Sequence, residues 1–210
     1  MPGLKLHVGG GDNFFPGFLN IGLFSEEVTD GTTKLKKGKI VERDVEGGTA
    51  KVLNQDFFEE LPVSKEEVSF IYSSHMVEHL GFEDGRKFFQ RCYDLLERGG
   101  SFRVVFPDFR KAVDYYIRGK KDFFDKYSDI VEQVYDHTPE TYGELMAFFL
   151  HKWGHKWVYD TETVVNLMRK TGFREVAVSE AGETVEIHVK LHETANDLRR
   201  MESGYVVGIK

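Results

Sequence analysis

Leu4-Lys5-Leu6-His7-Val8-Gly9-Gly10-Gly11-Asp12-Asn13 decides how this chain is read. A short apolar run ends in three consecutive glycines. Glycine adopts positive φ at little steric cost and has no Cβ to keep a ligand away from the main chain. In open α/β sheets, ligands collect at the carboxyl ends of strands, where such turns lie. The stretch therefore predicts a first strand whose end forms one wall of a binding site.

Outward from this junction, six more runs have strand character. They are residues 19–23, 51–53, 68–72, 102–106, 175–178 and 205–209, each short, β-branched or aromatic, and bounded by polar or glycine-containing segments. Between the fourth and fifth runs, Phe88, Cys92 and Leu95 recur at helical spacing, with Phe89 and Leu96 beside them. This predicts a helix over 83–98 that stops at Gly99-Gly100. A second helix is predicted over 161–171, with Asp160 or Thr161 as N-cap and Gly172 as its stop. Residues 109–127 carry an apolar face interrupted at Gly119, and 142–150 are helical in part. Strands alternating with helices indicate an α/β domain with a mainly parallel sheet. Residues 109–155 exceed one crossover, so they are expected to form a helical insertion after the fifth strand, placed as a lid, within a single domain spanning 1–210.

Composition limits the function classes. The 210 residues carry a net charge of −7, from 28 basic and 35 acidic groups, which does not suit a broad grip on a nucleic-acid backbone. The basic cluster at Lys34, Lys36, Lys37 and Lys39 reads as a solvated loop. One cysteine, Cys92, excludes an internal disulfide and lies on the apolar face of its predicted helix. Neither a signal peptide nor an apolar run of membrane-spanning length is evident. A soluble, cytoplasmic protein acting on a small molecule is expected.

Several segments then fall into a recognisable order: the glycine turn; Phe15-Pro16-Gly17-Phe18-Leu19-Asn20-Ile21; Tyr72-Ser73-Ser74-His75-Met76-Val77-Glu78-His79-Leu80; and Leu96-Glu97-Arg98-Gly99-Gly100 leading to Phe106-Pro107-Asp108. His155-Lys156-Trp157-Val158-Tyr159 through Thr171-Gly172-Phe173 completes the series. In these segments the chain resembles class I S-adenosylmethionine-dependent methyltransferases, most of all the small bacterial type 11-like branch. The resemblance implies a Rossmann-like, doubly wound sheet of seven strands, mostly parallel with the last antiparallel, and S-adenosylmethionine as cofactor. It further implies that Gly9, Gly10 and Gly11 contact the methionine part. Gln55, Asp56 and Phe57 would meet the adenine, with Phe57 stacking on it, and Ser73, Ser74 and His75 would wall the sulfonium. Two positions depart from the pattern. His7 stands where the class has an acid, and Gly22 replaces the carboxylate that binds the ribose hydroxyls; Asn20 or Glu26 is the candidate substitute.

Three groups are candidates for chemistry. His75 and His155 can accept a proton near neutrality. Asp108 is either the N-cap of the following helix or a group held over the substrate. His151-Lys152-Trp153-Gly154-His155-Lys156-Trp157 is dense enough in rings to line a pocket or to wedge the insertion onto the sheet. His75-x-x-Glu78-His79 also matches an inverted zinc-peptidase motif. If helical, its two histidines would share an ion, with His151, His155 or Asp108 as third ligand. Otherwise Glu78 serves the dipole of a helix start. The reading that best joins these features is methyl transfer to an oxygen or nitrogen of a small-molecule or sugar acceptor, without a metal. The alternatives are a degenerate binding module on the same fold and a zinc hydrolase. A nicotinamide site is disfavoured, because the turn is not G-x-G-x-x-G.

Overall fold

The computed structural model describes residues 3–24, 37–184 and 186–210. Among them, eight strands build one sheet: β1 Leu4–Val8, β2 Leu19–Gly22, β3 Ile40–Val45, β4 Gly48–Asn54, β5 Val68–Ser74, β6 Leu96–Pro107, β7 Glu175–Val178 and β8 Ser203–Ile209. Their spatial order is β3-β4-β2-β1-β5-β6-β8-β7. β4, β2, β1, β5 and β6 run parallel to one another, whereas β8 is antiparallel to both β6 and β7. The antiparallel last strand is thus present. From β1 the chain builds outward through β2 in one direction and through β5 in the other. The strand order therefore reverses between β1 and β5, where α/β sheets place their crevice.

The sheet has eight strands rather than the expected seven. The addition is β3, paired antiparallel with β4 at the sheet edge through a tight turn at Val45↔Gly48. Gly47 and Gly48, at φ +89 and +140, supply the turn. β3 reads Ile-Val-Glu-Arg-Asp-Val and alternates exposed with half-buried positions, as an edge strand covered on one side does.

Helix α1, Phe82–Leu95, ends earlier than the glycine pair suggested. Leu96 turns extended at φ −67 and ψ 137, is fully buried and pairs with Val68, so its packing in the sheet starts β6. The pairing with β5 then shifts register before Ser101, and Gly99 at φ +81 lies in that irregular stretch. α1 and α5, Thr161–Thr171, cover one face of the sheet with Phe88, Phe89, Cys92, Val164 and Met168. Asp160 caps α5 by accepting from Thr163 N, and Gly172 closes it in the left-handed region.

After β6 come α2 Phe109–Arg118, α3 Lys121–Tyr135 and α4 Tyr142–His151. Gly119, at φ +59, ends α2 where the sequence pattern is interrupted, its N–H donating to the Tyr115 and Tyr116 carbonyls. These helices share a second core of Phe123, Phe124, Tyr127, Leu145 and Phe149. Leu198 joins it from α7, Asp197–Glu202, which with α6, Ile187–Thr194, precedes β8. Neither short helix was legible in the pattern. No described helix is long and apolar enough to cross a membrane.

Candidate active site

The glycine turn is built on two side chains beneath it. Gly9 and Gly11 adopt φ +75 and +55. A Cβ on Gly9 would stand 2.1 Å from Met76 Cγ, and one on Gly10 would stand 1.9 Å from His7 Cε1. Two of the three glycines are therefore demanded by packing. Gly11 alone has nothing within 4 Å of its missing Cβ and faces open space.

His7 and Asn20 form the floor. The His7 ring stacks on Phe15 at 4.2 Å, and its Nδ1 lies 3.0 Å from Asn20 Oδ1. Burial pushes this imidazole down to about 4, so it is neutral at physiological pH. Asn20 Oδ1 also accepts from Phe15 N, and its Nδ2 donates to the carbonyls of Phe15, Phe18 and Lys51. The Asn20 side chain is fully engaged in holding the loop 15–18 against β4.

At the end of β2, Gly22 carries no side chain, and the Phe24 ring lies 2.9 Å from where its Cβ would be. Asn54 fixes Phe24 by accepting from its N–H and donating to its carbonyl. Glu26, like Lys34 and Lys36, lies outside the described residues. Asp56 Oδ1 accepts from Phe58 N, and Gln55 Nε2 donates to the Glu60 carbonyl. Phe57 is buried in the main core, edge-on to Phe88 at 5.3 Å.

At the ends of β5 and β6 lies a cavity of about 290 Å3. His75, Glu78, His79 and Pro107 line it from the sheet side; Tyr127, Trp153 and His155 from the α3–α4 segment; and Arg199 and Glu202 from α7. His75 takes φ +50 directly after β5, its N–H held by the Val105 carbonyl. Its Nε2 is 2.7 Å from Ser203 Oγ, and its Nδ1 is 3.6 Å from Glu78 Oε1. Val77–His79 form a single 3-10 turn, not the long helix the inverted zinc motif needs. His79 consequently faces His155, with ring centroids 5.3 Å apart. Burial shifts the groups here in opposite directions. It pushes Glu78 up to about 8 and Glu202 up to about 7, and holds His75 well below the ordinary imidazole value.

Asp108 sits beside this cavity but is occupied. One carboxylate oxygen accepts from Arg110 N as the cap of α2, and the other accepts from Thr161 Oγ1 at 2.6 Å. Of the ring-rich stretch 151–157, Trp153 lines the cavity and donates from Nε1 to Tyr127 Oη, whereas Trp157 is partly exposed against Phe82.

The family model described as "Methyltransferase domain" matches residues 6–104. That span holds the glycine turn, the β1–β5 switch point and the His75 turn. The match covers just under half of the chain. Among solved structures, the chain is similar to a SAM-dependent methyltransferase of Thermotoga maritima described as a possible histamine N-methyltransferase. The two are 16% identical over 100% of this chain and 83% of that one, at a TM-score of 0.51. It is similar also to a SAM-dependent methyltransferase of Archaeoglobus fulgidus, 16% identical over 98% and 85%, at 0.51. One from Mesorhizobium loti is 15% identical over 99% and 90%, at 0.50. These likenesses show the fold. Comparison with curated protein sequences finds no significant match.

The cofactor of the methyltransferase family is S-adenosylmethionine. Three features fit it: the open main chain at Gly11, the positive-φ turn at the switch point, and Ser73 Oγ, buried at the end of β5 without a hydrogen-bond partner among the described residues. The residues that would hold it are the main chain of 9–11, Ser73, Ser74 and the Gln55-Asp56 turn. The carboxylate that grips the ribose in the wider class has no counterpart at Gly22. Of the predicted site residues, the fold thus brings His75 to one cavity with His155. It leaves Phe57 in the core and Asn20 in the loop scaffold. Arg199 and Glu202 were not anticipated, because the helix that carries them is too short to leave a periodic signal.

Proposed function

We propose that this chain transfers a methyl group to an oxygen or nitrogen of a small-molecule or sugar acceptor seated in the cavity between His75 and His155. The observation that carries the reading is the continuity of the site. Met76 lies against Gly9, and its neighbour His75 lines the cavity. When bound, S-adenosylmethionine supplies an activated methyl on a sulfonium, so the protein's work is positioning. His75, kept neutral by burial, takes up the proton that the acceptor loses. His155 on the opposite wall orients the acceptor, and Asp108 acts at one remove by pinning α2 and Thr161 around it. Residues 109–155, packed on their own core, serve as the lid of one domain. The buried, single Cys92 and the acidic net charge support a cytoplasmic setting and a partner that is not a nucleic acid.

The degenerate binding module is the second reading, motivated by Gly22 and by the full engagement of Asn20. A turnover assay separates the two: S-adenosylhomocysteine release is followed with panels of hydroxyl and amine acceptors, sugars included. The enzyme reading expects acceptor-dependent turnover that falls roughly 100-fold in His75→Asn, a residue that tolerates positive φ, with unchanged S-adenosylhomocysteine affinity. Binding of S-adenosylhomocysteine with no turnover on any acceptor favours the module. Unchanged turnover in His75→Asn removes His75 from the chemistry.

A further inference from the structure

Glu78 lacks a partner that its surroundings demand. Its side chain is 3% exposed, neither carboxylate oxygen has a hydrogen-bond partner among the described residues, and it lines the cavity. A buried carboxylate without donors is costly unless a cation or a proton compensates it. Two imidazoles converge on it. His79 Nε2 lies 3.9 Å from Glu78 Oε1, and one ligand atom each from Glu78, His79 and His155 falls within 4.8 Å of the others.

The hydrogen bond behind the His155 ring leaves its other nitrogen free. His155 Nδ1 is 2.9 Å from the Phe149 carbonyl, so that nitrogen carries the hydrogen and Nε2 keeps its lone pair. The His79 ring lies against the backbone of Gly154, with Nδ1 3.3 Å from that residue's Cβ position, so its Nε2 is the nitrogen turned toward Glu78. Carbonyls that hold the second ring nitrogen are what metal-binding histidines use to fix tautomer and orientation. The backbone ties the two halves together, since Lys156 N and Trp157 N both donate to the Glu78 carbonyl, at 2.8 and 3.2 Å. Trp153 and Gly154, at φ +63 and +79, make the turn that delivers His155.

We infer that Glu78, His79 and His155 bind one divalent transition-metal ion of the zinc class, with a coordination position open to the cavity. Two imidazoles and one carboxylate are the donor set of three-ligand zinc sites, whereas magnesium and calcium prefer oxygen alone. Metal–ligand bonds of about 2.0–2.2 Å place ligand atoms about 3.3 Å apart in a tetrahedron. The three side chains therefore close by about an ångström on binding. Arg199 and Lys156 oppose the ion's charge, and Glu202, buried on the same cavity, offsets them. His75 stays outside the ligand set, bonded to Ser203. On the methyl-transfer reading, the open position would take the acceptor's oxygen or nitrogen; that role rests on the proposed function, and the ion site does not.

The test titrates the chelator-stripped full chain with Zn2+ by calorimetry and with Co2+ by visible absorption. One Zn2+ per chain is expected, with Co2+ giving the strong visible bands of four- or five-coordination. Glu78→Gln, His79→Ala and His155→Ala are each expected to weaken binding by at least about 10–100-fold. His137→Ala, an exposed histidine paired with Glu144, leaves binding unchanged. Circular dichroism melts show which variants are folded; His79 is partly exposed, so His79→Ala keeps the test available. No stoichiometric Zn2+ binding, or full affinity in folded His79→Ala, overturns the site. S-adenosylhomocysteine calorimetry on the same samples reports separately whether the cofactor reading holds.

Discussion

Asn20 shows how a residue assigned to a ligand by position is claimed by the fold. Its amide satisfies four backbone groups and touches His7. Asn20→Leu orphans those groups and is expected to lower unfolding free energy by about 3 kcal/mol, read from urea denaturation. Glu78 makes a pH prediction. The unfolded chain releases this proton near 4.5, while the folded chain holds it to about 8. The group's contribution is thus full below 4.5 and lost as pH rises to 8. In chelator, wild-type stability relative to Glu78→Gln is expected to fall by on the order of 4 kcal/mol across that window; parallel urea midpoints from pH 4.5 to 8 would contradict it. Residue types were legible along the chain, but their partners were not. The motif placed Glu78 between two histidines in sequence. His155 was one of three candidates to join them, and because it lies more than seventy positions away no local pattern chose among the three. The Asp108 cap, by contrast, follows from a Pro-Asp pair at a strand end, and the sequence carried that reading.

At the scale of elements, the parallel strands were readable because each is an apolar run closed by turn residues. β3 was not, since an edge strand with Glu, Arg and Asp resembles a solvated loop. α6 escaped notice too, yet it is locked to the sheet. Arg103 of β6, 1% exposed, makes bidentate bonds of 2.6 and 2.7 Å to Glu193 and also donates to Ser179 and the Glu180 carbonyl. Removing one charge leaves the other buried. Glu193→Ala is expected to cost about 3–5 kcal/mol in chemical denaturation, and the apolar pair Arg103→Met with Glu193→Leu to recover most of it. Failure of the double variant to recover would mean that the remaining donors, Gly182 N among them, dominate.

For the whole molecule, the order of strands is the lesson. Building outward from β1 in both directions sets the glycine turn at the switch point, where α/β sheets place their crevice, and the helices after β6 and before β8 line a cavity at the ends of β5 and β6. The first was implied by the sequence pattern. The second arises from long-range packing of α3, α4 and α7 against the β5 and β6 ends, which one sequence does not display. The open main chain over Gly11 is expected to accept a nucleoside-bearing sulfur cofactor. Calorimetric titration of the full chain with S-adenosylhomocysteine tests it most directly. One site per chain is predicted, weakened at least about 10-fold in Gly11→Leu, whose side chain would fill the open cradle. The absence of any binding at millimolar ligand, or equal affinity in a folded Gly11→Leu variant, would rule out a cofactor site over Gly11.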